Sequence, residues 1–285
     1  MSQNKLLSTT NHDRDDASLR YVYPVVSRRA GGVSIGINLN PNNACNWRCV
    51  YCQVPDLKRG AAPAIDMAML ESELRGFLDK LLHGNFMLDR VPEGARRIND
   101  IALSGNGEPT SAAEFTQVID LIASIRCDTI LPEMVKTVLI TNGSLLYRSS
   151  VQQGLREMAE LNGEVWFKMD RASEAGIQKV NDVHMNIGKV RDNLISAIAC
   201  CPTWIQTCWF AMDGEPPSLQ DEDDYLEFVK TLIREGHEPQ GVLLYSLART
   251  SMQAEASRLS ALSIEQLQAF AERIKKLGLT VKVTP

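Results

Sequence analysis

Three cysteines close together in the chain are the residues whose type and spacing most directly suggest chemistry. Cys45, Cys49 and Cys52 follow a short apolar segment at C-x3-C-x2-C spacing. Thiolates held this closely can bind three irons of a four-iron, four-sulfur cluster, because soft sulfur ligands suit iron. No fourth cysteine lies nearby, so the fourth iron would stay open to another molecule. The spacing therefore predicts an iron–sulfur centre with one reactive iron.

A zinc knuckle and a group of buried thiols are the two alternatives. A zinc site needs a fourth Cys or His close by, whereas the nearest histidine, His83, falls at the end of a predicted helix. Buried thiols require apolar neighbours, but this segment carries Asn42, Asn43, Arg48 and Gln53. We therefore prefer the iron–sulfur interpretation.

The segment resembles the cysteine motif of the radical S-adenosyl-L-methionine (SAM) superfamily, in which an aromatic residue commonly precedes the last cysteine, as Tyr51 does here. The resemblance implies a 4Fe-4S cluster on Cys45, Cys49 and Cys52, with the amino and carboxylate groups of SAM on the open iron. It also implies reductive cleavage of SAM to methionine and a 5′-deoxyadenosyl radical. That chemistry needs an electron donor such as flavodoxin or ferredoxin.

A second motif, Ser-Gly-Asn-Gly-Glu-Pro-Thr at residues 104–110, follows a predicted strand. Gly105 and Gly107 allow the backbone to approach a ligand, and the Glu108 carboxylate can accept hydrogen bonds from an ammonium group. The motif resembles the Gly-Gly-Glu-Pro motif of radical SAM enzymes, with Asn106 replacing the first Gly of the pair. The resemblance implies that these residues bind SAM; the alternative is a glycine-rich turn before a helix.

Two further strand ends carry polar residues, and active sites of parallel α/β folds lie at such ends. Thr141 and Asn142 belong to a Thr-Asn-Gly sequence that recurs in radical SAM chains beside the ribose and methionine parts of SAM. Arg249 ends another strand, and its planar guanidinium suits a carboxylate of SAM or of a substrate. We therefore predict that Thr141, Asn142 and Arg249 help to bind SAM.

A lysine and an aspartate share one face of a predicted strand. Alternation places Trp166, Lys168 and Asp170 together. If that face lines a barrel lumen, the two charges are expected to pair or to contact substrate, because an unpaired buried charge is costly. Lys168 and Asp170 are therefore the predicted catalytic residues. In the opposite register, Lys168 would lie at the surface. Lys168 could hold an anionic group as an ammonium, or attack a carbonyl as a free amine.

Short apolar runs that alternate with amphipathic patterns must position these motifs, and they predict a parallel sheet wrapped by helices. Strands are predicted at Ser34–Leu39, Asp100–Ser104, Lys136–Thr141, Glu164–Met169, Trp204–Phe210, Gly241–Leu247 and Thr280–Val283. Helices are predicted at Met67–Leu82, Ala113–Ile125, Ser150–Leu161, Gly188–Ala199, Glu222–Glu235 and Ser263–Leu277.

Six such βα units are the number in the partial, TIM-like (β/α)6 barrel of radical SAM enzymes, and we predict this α/β fold. Residues 1–20 are polar and of mixed charge, which predicts a flexible N-terminal arm before one core domain at residues 21–285. Ser111 and Ser263 are predicted to cap the helices that follow them.

Composition narrows the class of protein. The 285 residues are 44% hydrophobic and 23% charged, as in ordinary globular proteins. Because there is neither a long apolar run nor a signal sequence, we expect no membrane insertion and a cytoplasmic location. The net charge of −5 lacks the basic excess of nucleic-acid-binding proteins. The remaining four cysteines are predicted to be structural thiols: Cys127, Cys200, Cys201 and Cys208.

Several segments are together similar to the radical SAM branch that includes the tRNA wyosine-base synthases. They are Val-x-Pro-Val-Val-Ser-Arg-Arg, Ser-Gly-x-Gly-Glu-Pro-Thr, Val-Trp-x-Lys-x-Asp, Ile-Gln-Thr and Leu-Tyr-Ser-Leu-Ala-Arg. In wyosine synthesis a lysine acts with pyruvate, and N-terminal cysteines hold a second cluster. This chain has no Cys before Cys45, so tRNA is not favoured as its partner.

Three functions remain open from the sequence. The preferred one is a radical SAM enzyme that abstracts hydrogen from an unidentified substrate. The second is a tRNA-modifying oxidoreductase similar to the wyosine-base synthases. The third is an iron–sulfur carrier or sensor without SAM chemistry, for which the glycine-rich segment at 105–110 would have no purpose.

Overall fold

The computed structural model describes residues 6–7, 19–27, 31–129 and 131–285. Most of the predicted N-terminal arm, residues 1–20, therefore lies outside the described residues. Leu7 is described, and its side chain is buried in the core. Its backbone N–H donates a hydrogen bond to the carbonyl of Arg90. This part of the N-terminal segment is thus packed on the domain.

Among the described residues, eight strands form one sheet, and they lie in the sheet in the same order as in the chain. β1 is antiparallel to β2, and the strands from β2 onward are parallel to their neighbours. This sequential order is that of a barrel, and β1 and β8 lie at opposite edges, so the barrel is open. The strands are β1 (Val22–Val26), β2 (Val33–Ile37), β3 (Ile98–Leu103), β4 (Lys136–Thr141), β5 (Gly163–Lys168), β6 (Thr203–Cys208), β7 (Gly241–Tyr245) and β8 (Val281–Thr284).

Helices connect the parallel strands, which confirms the predicted α/β fold with a partial barrel. In the described chain they are α1 (Met67–Leu82), α2 (Phe86–Arg90), α3 (Phe115–Thr129), α4 (Ser149–Ala159), α5 (Glu174–Asn181), α6 (Ile187–Cys200), α7 (Leu219–Arg234) and α8 (Ile264–Lys275). A parallel ribbon pairs Ala44–Cys45 with Lys58–Arg59, and an antiparallel one pairs Phe210–Met212 with Leu259–Ala261. Single 3-10 turns occur at Glu93–Ala95, Pro109–Ser111 and Ala256–Arg258.

The two predicted caps have different outcomes. Ser263 forms a capping box with Gln266 at the start of α8, as predicted. The prediction for Ser111 is wrong, because a 3-10 turn occupies Pro109–Ser111 and α3 starts only at Phe115. The Ser111 hydroxyl instead donates to the carbonyl of Glu108 at 2.7 Å.

Alternation along the strands separates the core from a cavity. Side chains on the outer face of the sheet pack against the helices, and side chains on the inner face line a cavity of about 320 Å³. In β5, Val165 and Phe167 belong to the core, whereas Trp166 and Lys168 line the cavity. Lys168 is therefore inside the partial barrel and not at the surface. Among the described residues, no helix is long and apolar enough to cross a membrane.

Candidate active site

The cavity runs from the inner face of the sheet to the loops at the carboxyl ends of the strands. Two predicted site residues lie directly behind its lining: Thr141 donates a hydrogen bond to Glu108, and Asp170 accepts one from Tyr51. The other predicted residues line the cavity itself: Cys45, Cys49, Tyr51, Cys52, Gly105, Asn106, Gly107, Glu108, Asn142, Lys168 and Arg249. The fold thus gathers at one place motifs that are far apart in the chain.

Backbone hydrogen bonds hold the cysteine loop, residues 45–52, against the end of α5. The N–H of Arg48 donates to the carbonyl of Asn181 at 3.2 Å, and the N–H of Val50 donates to Val180 at 2.9 Å. The Asn181 side chain also donates to the sulfur of Cys49 at 3.2 Å. The two backbone hydrogen bonds of Arg48 and Val50 do not depend on the identity of the loop side chains.

Arg48 ties the cysteine loop to two other segments. Its guanidinium donates to Asp182 at 2.7 Å and, in a two-pronged contact, to Glu255 at 2.8 and 3.0 Å. Asp182 ends α5 in the left-handed conformation and also accepts from Arg59 at 2.9 Å. The hydrogen bonds from Arg48 lower the pKa of Asp182 and of Glu255. Three loops are therefore joined around the cysteines.

The three thiols of this loop line one cavity. Within the part of the chain that the structure describes, no three Cys, His, Asp or Glu side chains form a group that could hold one metal ion. Burial raises the pKa of Cys45 and Cys49 to about 12, so metal binding must displace their protons.

The glycines at 105 and 107 allow two loops to touch. A Cβ on Gly107 would lie 2.0 Å from the carbonyl oxygen of Ala44, next to the first cysteine. A Cβ on Gly105, which has φ +151°, would lie 2.3 Å from the Asn38 side-chain oxygen. Between them, Asn106 donates to Asn43, while its own buried side-chain oxygen accepts no hydrogen bond from the residues that the structure describes. The glycines are therefore needed for packing, and Asn106 offers an acceptor to a ligand.

Glu108 is a buried carboxyl whose hydrogen bonds join two strand ends. One oxygen accepts from the backbone N–H and hydroxyl of Thr110 and from the hydroxyl of Thr141, and the other accepts from the N–H of Asn142. Burial raises the pKa of Glu108, against the lowering effect of these bonds. The carboxyl thus braces the end of β3 against that of β4, and one oxygen retains capacity for a further donor.

Asn142 extends this hydrogen-bond network to the cysteine loop. Its side-chain amide donates to the oxygen of Asn46 at 2.8 Å, and the amide of Asn46 donates to the Ser144 hydroxyl at 2.7 Å. Asn46 directly follows the first cysteine. The Thr-Asn-Gly sequence therefore positions the cysteine loop in addition to lining the cavity.

Lys168 lies between two tyrosines inside the cavity. Its ammonium donates to the hydroxyl of Tyr245 at 3.1 Å and lies 4.9 Å from the centroid of the Tyr51 ring. Burial acts to lower the pKa of Lys168, but Tyr245 and Asp170 raise it, and its net pKa lies above the ordinary value. Cation–π contact with Tyr51 also favours the charged form. Lys168 is therefore an ammonium beside the cysteine loop.

Asp170 does not contact Lys168 directly. Its carboxylate accepts from the hydroxyl of Tyr51, from the Asn181 amide at 2.9 Å and from the backbone N–H of Cys208 at 2.9 Å. It is 2% exposed. The predicted pair of Lys168 and Asp170 is thus arranged around Tyr51, with the lysine facing the cavity and the aspartate fixing the ring.

The sequence has relatives in bacteria and in archaea. No protein-family model matches the chain. It is 29% identical over 177 residues to a UPF0026 protein of Helicobacter pylori, and 24% identical over 176 residues to one of Methanocaldococcus jannaschii. Each match covers 61% of this chain, and 50% and 48% of the respective relatives. The chain therefore spans about half the length of the relatives it matches.

Solved structures with the same fold include a radical SAM methyltransferase from Sphaerobacter thermophilus, with a TM-score of 0.59, 11% identity and coverage of 89% of this chain and 66% of that one. TYW1 with a lysine–pyruvate adduct bound gives a TM-score of 0.57, 15% identity and coverage of 85% and 73%. Streptococcus suis SuiB bound to S-adenosylmethionine gives a TM-score of 0.57 at 11% identity, and the match covers 87% of this chain and 49% of that one. The chain has the fold of the radical SAM enzymes. The fold that the sequence resemblance implied is thereby confirmed.

Within this radical SAM fold, the sequence motifs did not identify every polar residue of the cavity. Ser34, Asp100, Gln206 and Tyr245 also line it. Their signal was a polar side chain at an alternate position of an otherwise apolar strand, which is strong only once the inner face is known. Cys208, predicted to be a structural thiol, is fully buried and also faces the cavity.

Proposed function

We propose that this protein is a radical SAM enzyme that abstracts hydrogen from a substrate held in the cavity. The observation that carries the proposal is the meeting of the cysteine loop, the glycine-rich loop after β3 and the charged lysine of β5 on one cavity. An electron carrier needs no enclosed space beside its cluster, whereas a radical reaction must be shielded from water. The cavity thus supports an enzyme over a carrier or sensor.

The residues present fit the cofactors of that reaction. Cys45, Cys49 and Cys52 would hold a 4Fe-4S cluster, since soft thiolates are its usual ligands. SAM would be held by the loop at residues 105–108, with the unpartnered oxygen of Asn106 as an acceptor, and by Tyr51, Thr141, Asn142 and Arg249. Once reduced by a donor of the flavodoxin or ferredoxin type, the bound cofactors supply a carbon radical that can take hydrogen from an unreactive carbon.

The chain itself contributes binding, orientation and exclusion of water. Lys168 offers an ammonium in a partly desolvated place, where it attracts an anionic or carbonyl group of the substrate. Asp170 holds the Tyr51 ring, against which that ammonium rests. Lys168 is therefore proposed to bind substrate, and Asp170 to position Tyr51.

Anaerobic reconstitution of the protein tests the proposal. The wild type is expected to bind about four irons and four sulfides, and after reduction to release 5′-deoxyadenosine from SAM. Cys45→Ala, Cys49→Ala and Cys52→Ala should each lose most iron and all SAM cleavage. Cys127→Ala and Cys200→Ala are the matched controls and should keep both. A triple variant of the loop cysteines that retained iron would contradict the cluster assignment.

If the reduced wild-type protein bound the cluster but formed no 5′-deoxyadenosine, the carrier function would replace the enzyme. Tight zinc in place of iron after anaerobic purification would favour a zinc site.

A second candidate function, condensation of a carbonyl substrate on Lys168, is suggested by the lysine–pyruvate adduct in the TYW1 structure. Borohydride reduction in the presence of pyruvate traps a Schiff base as a stable adduct. An adduct that is found by mass spectrometry and lost in Lys168→Met would support this function. The raised pKa of Lys168 favours the ammonium instead, so no adduct is expected. Salt-sensitive binding of bulk tRNA would test the wyosine-like reaction separately.

A further inference from the structure

A carboxyl group lies deeper in the same cavity, toward the amino-terminal edge of the sheet. Asp100 is near the start of β3, pairs in register with Ser34 of β2, and lines the cavity with it. Their side chains are 5% and 8% exposed. The loops that carry the cysteines and the glycines lie at the other end of these strands. Asp100 and Ser34 therefore form a polar floor below the predicted cofactor residues.

The floor has more acceptor capacity than the protein uses. The Ser34 hydroxyl is the hydrogen-bond donor that the described residues supply to the Asp100 carboxyl. A carboxylate has about four acceptor positions. Burial raises the pKa of Asp100 to about 6, with Glu164 raising it and Lys136 lowering it. An apolar residue at this position would avoid that cost, so a carboxyl here needs a further partner.

Gln206 supplies a second, independent observation. It lies on β6 beside Lys168 of β5, is 2% exposed and lines the cavity. Its side-chain oxygen is buried, and none of the described residues gives it a hydrogen bond. Such orphaned acceptors are rare in folded proteins and are usually satisfied by a ligand or by ordered water. The cavity therefore presents two buried acceptors that a donor could satisfy.

The rest of this cavity wall includes several apolar side chains. Val25, Ala102, Val138, Ile140 and the Trp166 ring line it. A ligand that fits this wall has an apolar body, since apolar surface gains free energy on leaving water. The polar groups of Asp100 and Ser34 then determine which end group of such a ligand can bind.

We propose that the substrate carries a protonated amine, which Asp100 and Ser34 bind at the floor of the cavity, on an apolar body that donates a second hydrogen bond to Gln206. The proposal rests on the proposed function for the direction of the substrate, because it places the reacting carbon toward the cysteine loop. An ammonium suits this floor, since it donates up to three hydrogen bonds and offsets the buried carboxylate charge.

A matched series of small probes tests the site by anaerobic calorimetry on the reconstituted holoenzyme. Phenylbutylamine, phenylbutanol and phenylbutyrate share one apolar body and differ in the end group. The amine is expected to bind at least about tenfold more tightly than the alcohol. In Lys168→Met, where the lysine ammonium cannot hold an anion, the acid is expected not to bind, because it would meet Asp100 with a like charge.

Variants locate the amine at Asp100. Asp100→Asn should weaken phenylbutylamine binding by about tenfold to a hundredfold while the iron content is retained. Asp128→Asn removes an exposed aspartate far from the cavity lining and serves as the matched control. Gln206→Leu should weaken binding of a phenylbutylamine analogue that carries an amide N–H on its chain, but not of the parent amine.

The inference would be overturned if amine binding were absent at millimolar concentration, unchanged in Asp100→Asn, or no tighter than acid binding measured in Lys168→Met. The same preparations are assayed for 5′-deoxyadenosine, which separates the two proposals. If amine binding depends on Asp100 but the protein does not cleave SAM, the amine site is supported and the proposed function is contradicted. If the protein cleaves SAM but shows no amine binding that depends on Asp100, the proposed function is supported and the amine site is contradicted.

Discussion

Two buried carboxyls line the same cavity, and they are used very differently. Glu108, at the carboxyl end of β3, accepts four hydrogen bonds from Thr110, Thr141 and Asn142. Asp100, near the start of the same strand, accepts one from Ser34. Both are almost completely buried, and burial raises the pKa of each. Their environments thus differ in partners and not in exposure.

The difference separates a structural carboxyl from one that is available to a ligand. A buried acceptor that already receives several hydrogen bonds holds its donors in place, and removing it leaves all of them unpaired. A buried acceptor with spare capacity can bind a new donor without breaking an existing bond. Glu108 therefore shapes the place that the cofactor residues occupy, whereas Asp100 can recognise a substrate.

The largest expected effect follows from removing Glu108. Glu108→Ala leaves four buried donors without an acceptor, and each costs about 1–3 kcal/mol, so the protein should lose roughly 4 kcal/mol of unfolding free energy or more. Urea unfolding of the anaerobically reconstituted protein measures this loss. Glu133→Ala, at an exposed glutamate, is the control and should change little. A loss below about 1 kcal/mol in Glu108→Ala would show that the brace is not structural.

The second effect concerns the pH dependence of stability. The pKa of Asp100 is about 6 in the folded protein against an ordinary value of 3.8. Between these values the folded state holds a proton that the unfolded state has released, so stability rises as pH falls. The gain is roughly 3 kcal/mol, since one pKa unit corresponds to about 1.4 kcal/mol.

Unfolding of the wild type and Asp100→Asn over this pH range measures the gain as a difference in slope. Glu164 and Lys136 act on Asp100 in both proteins, so their own titration largely cancels in the comparison. Asp128→Asn should keep the wild-type slope. Parallel profiles for the wild type and Asp100→Asn would mean that Asp100 is charged and paired in the folded protein.

The same contrast explains what the sequence could predict. The cysteine loop and the glycine-rich loop are local patterns, and both were assigned from their residues together with their resemblance to radical SAM motifs. The bounds of β4 and α1 were predicted correctly, because each is a continuous apolar or amphipathic run. Alternation within β5 placed Lys168 and Trp166 on one face, and the expectation that this face points inward came from the predicted barrel. In all these cases the informative residues are neighbours in the chain.

Asp100 could not be assigned a role in this way. Its partner Ser34 is 66 positions away, and the register between β2 and β3 brings the two together. β1 was missed for a different reason: Pro24 lies within it, and proline is tolerated in a strand only at an edge, which is where β1 lies. The start of α3 was misplaced because Pro109 begins a separate 3-10 turn.

The smallest expected effect comes from Ser34→Ala. The Ser34 hydroxyl lowers the pKa of Asp100, so its loss should raise that pKa further. The folded protein should then bind the Asp100 proton at higher pH, and the step in stability should move upward in pH. Above that step the variant should be about 1 kcal/mol less stable than the wild type, which is the typical net value of one hydrogen bond. Below the ordinary pKa of aspartate, where the carboxyl is protonated in both states, the difference in stability should shrink.

Ser196→Ala is the control, because it removes an exposed hydroxyl that donates to a backbone carbonyl. It should change neither the pH of the step nor the difference in stability above it. If the step in stability occurred at the same pH in Ser34→Ala as in the wild type, a donor other than Ser34 would be hydrogen-bonded to the Asp100 carboxyl. Asp100 would then resemble Glu108.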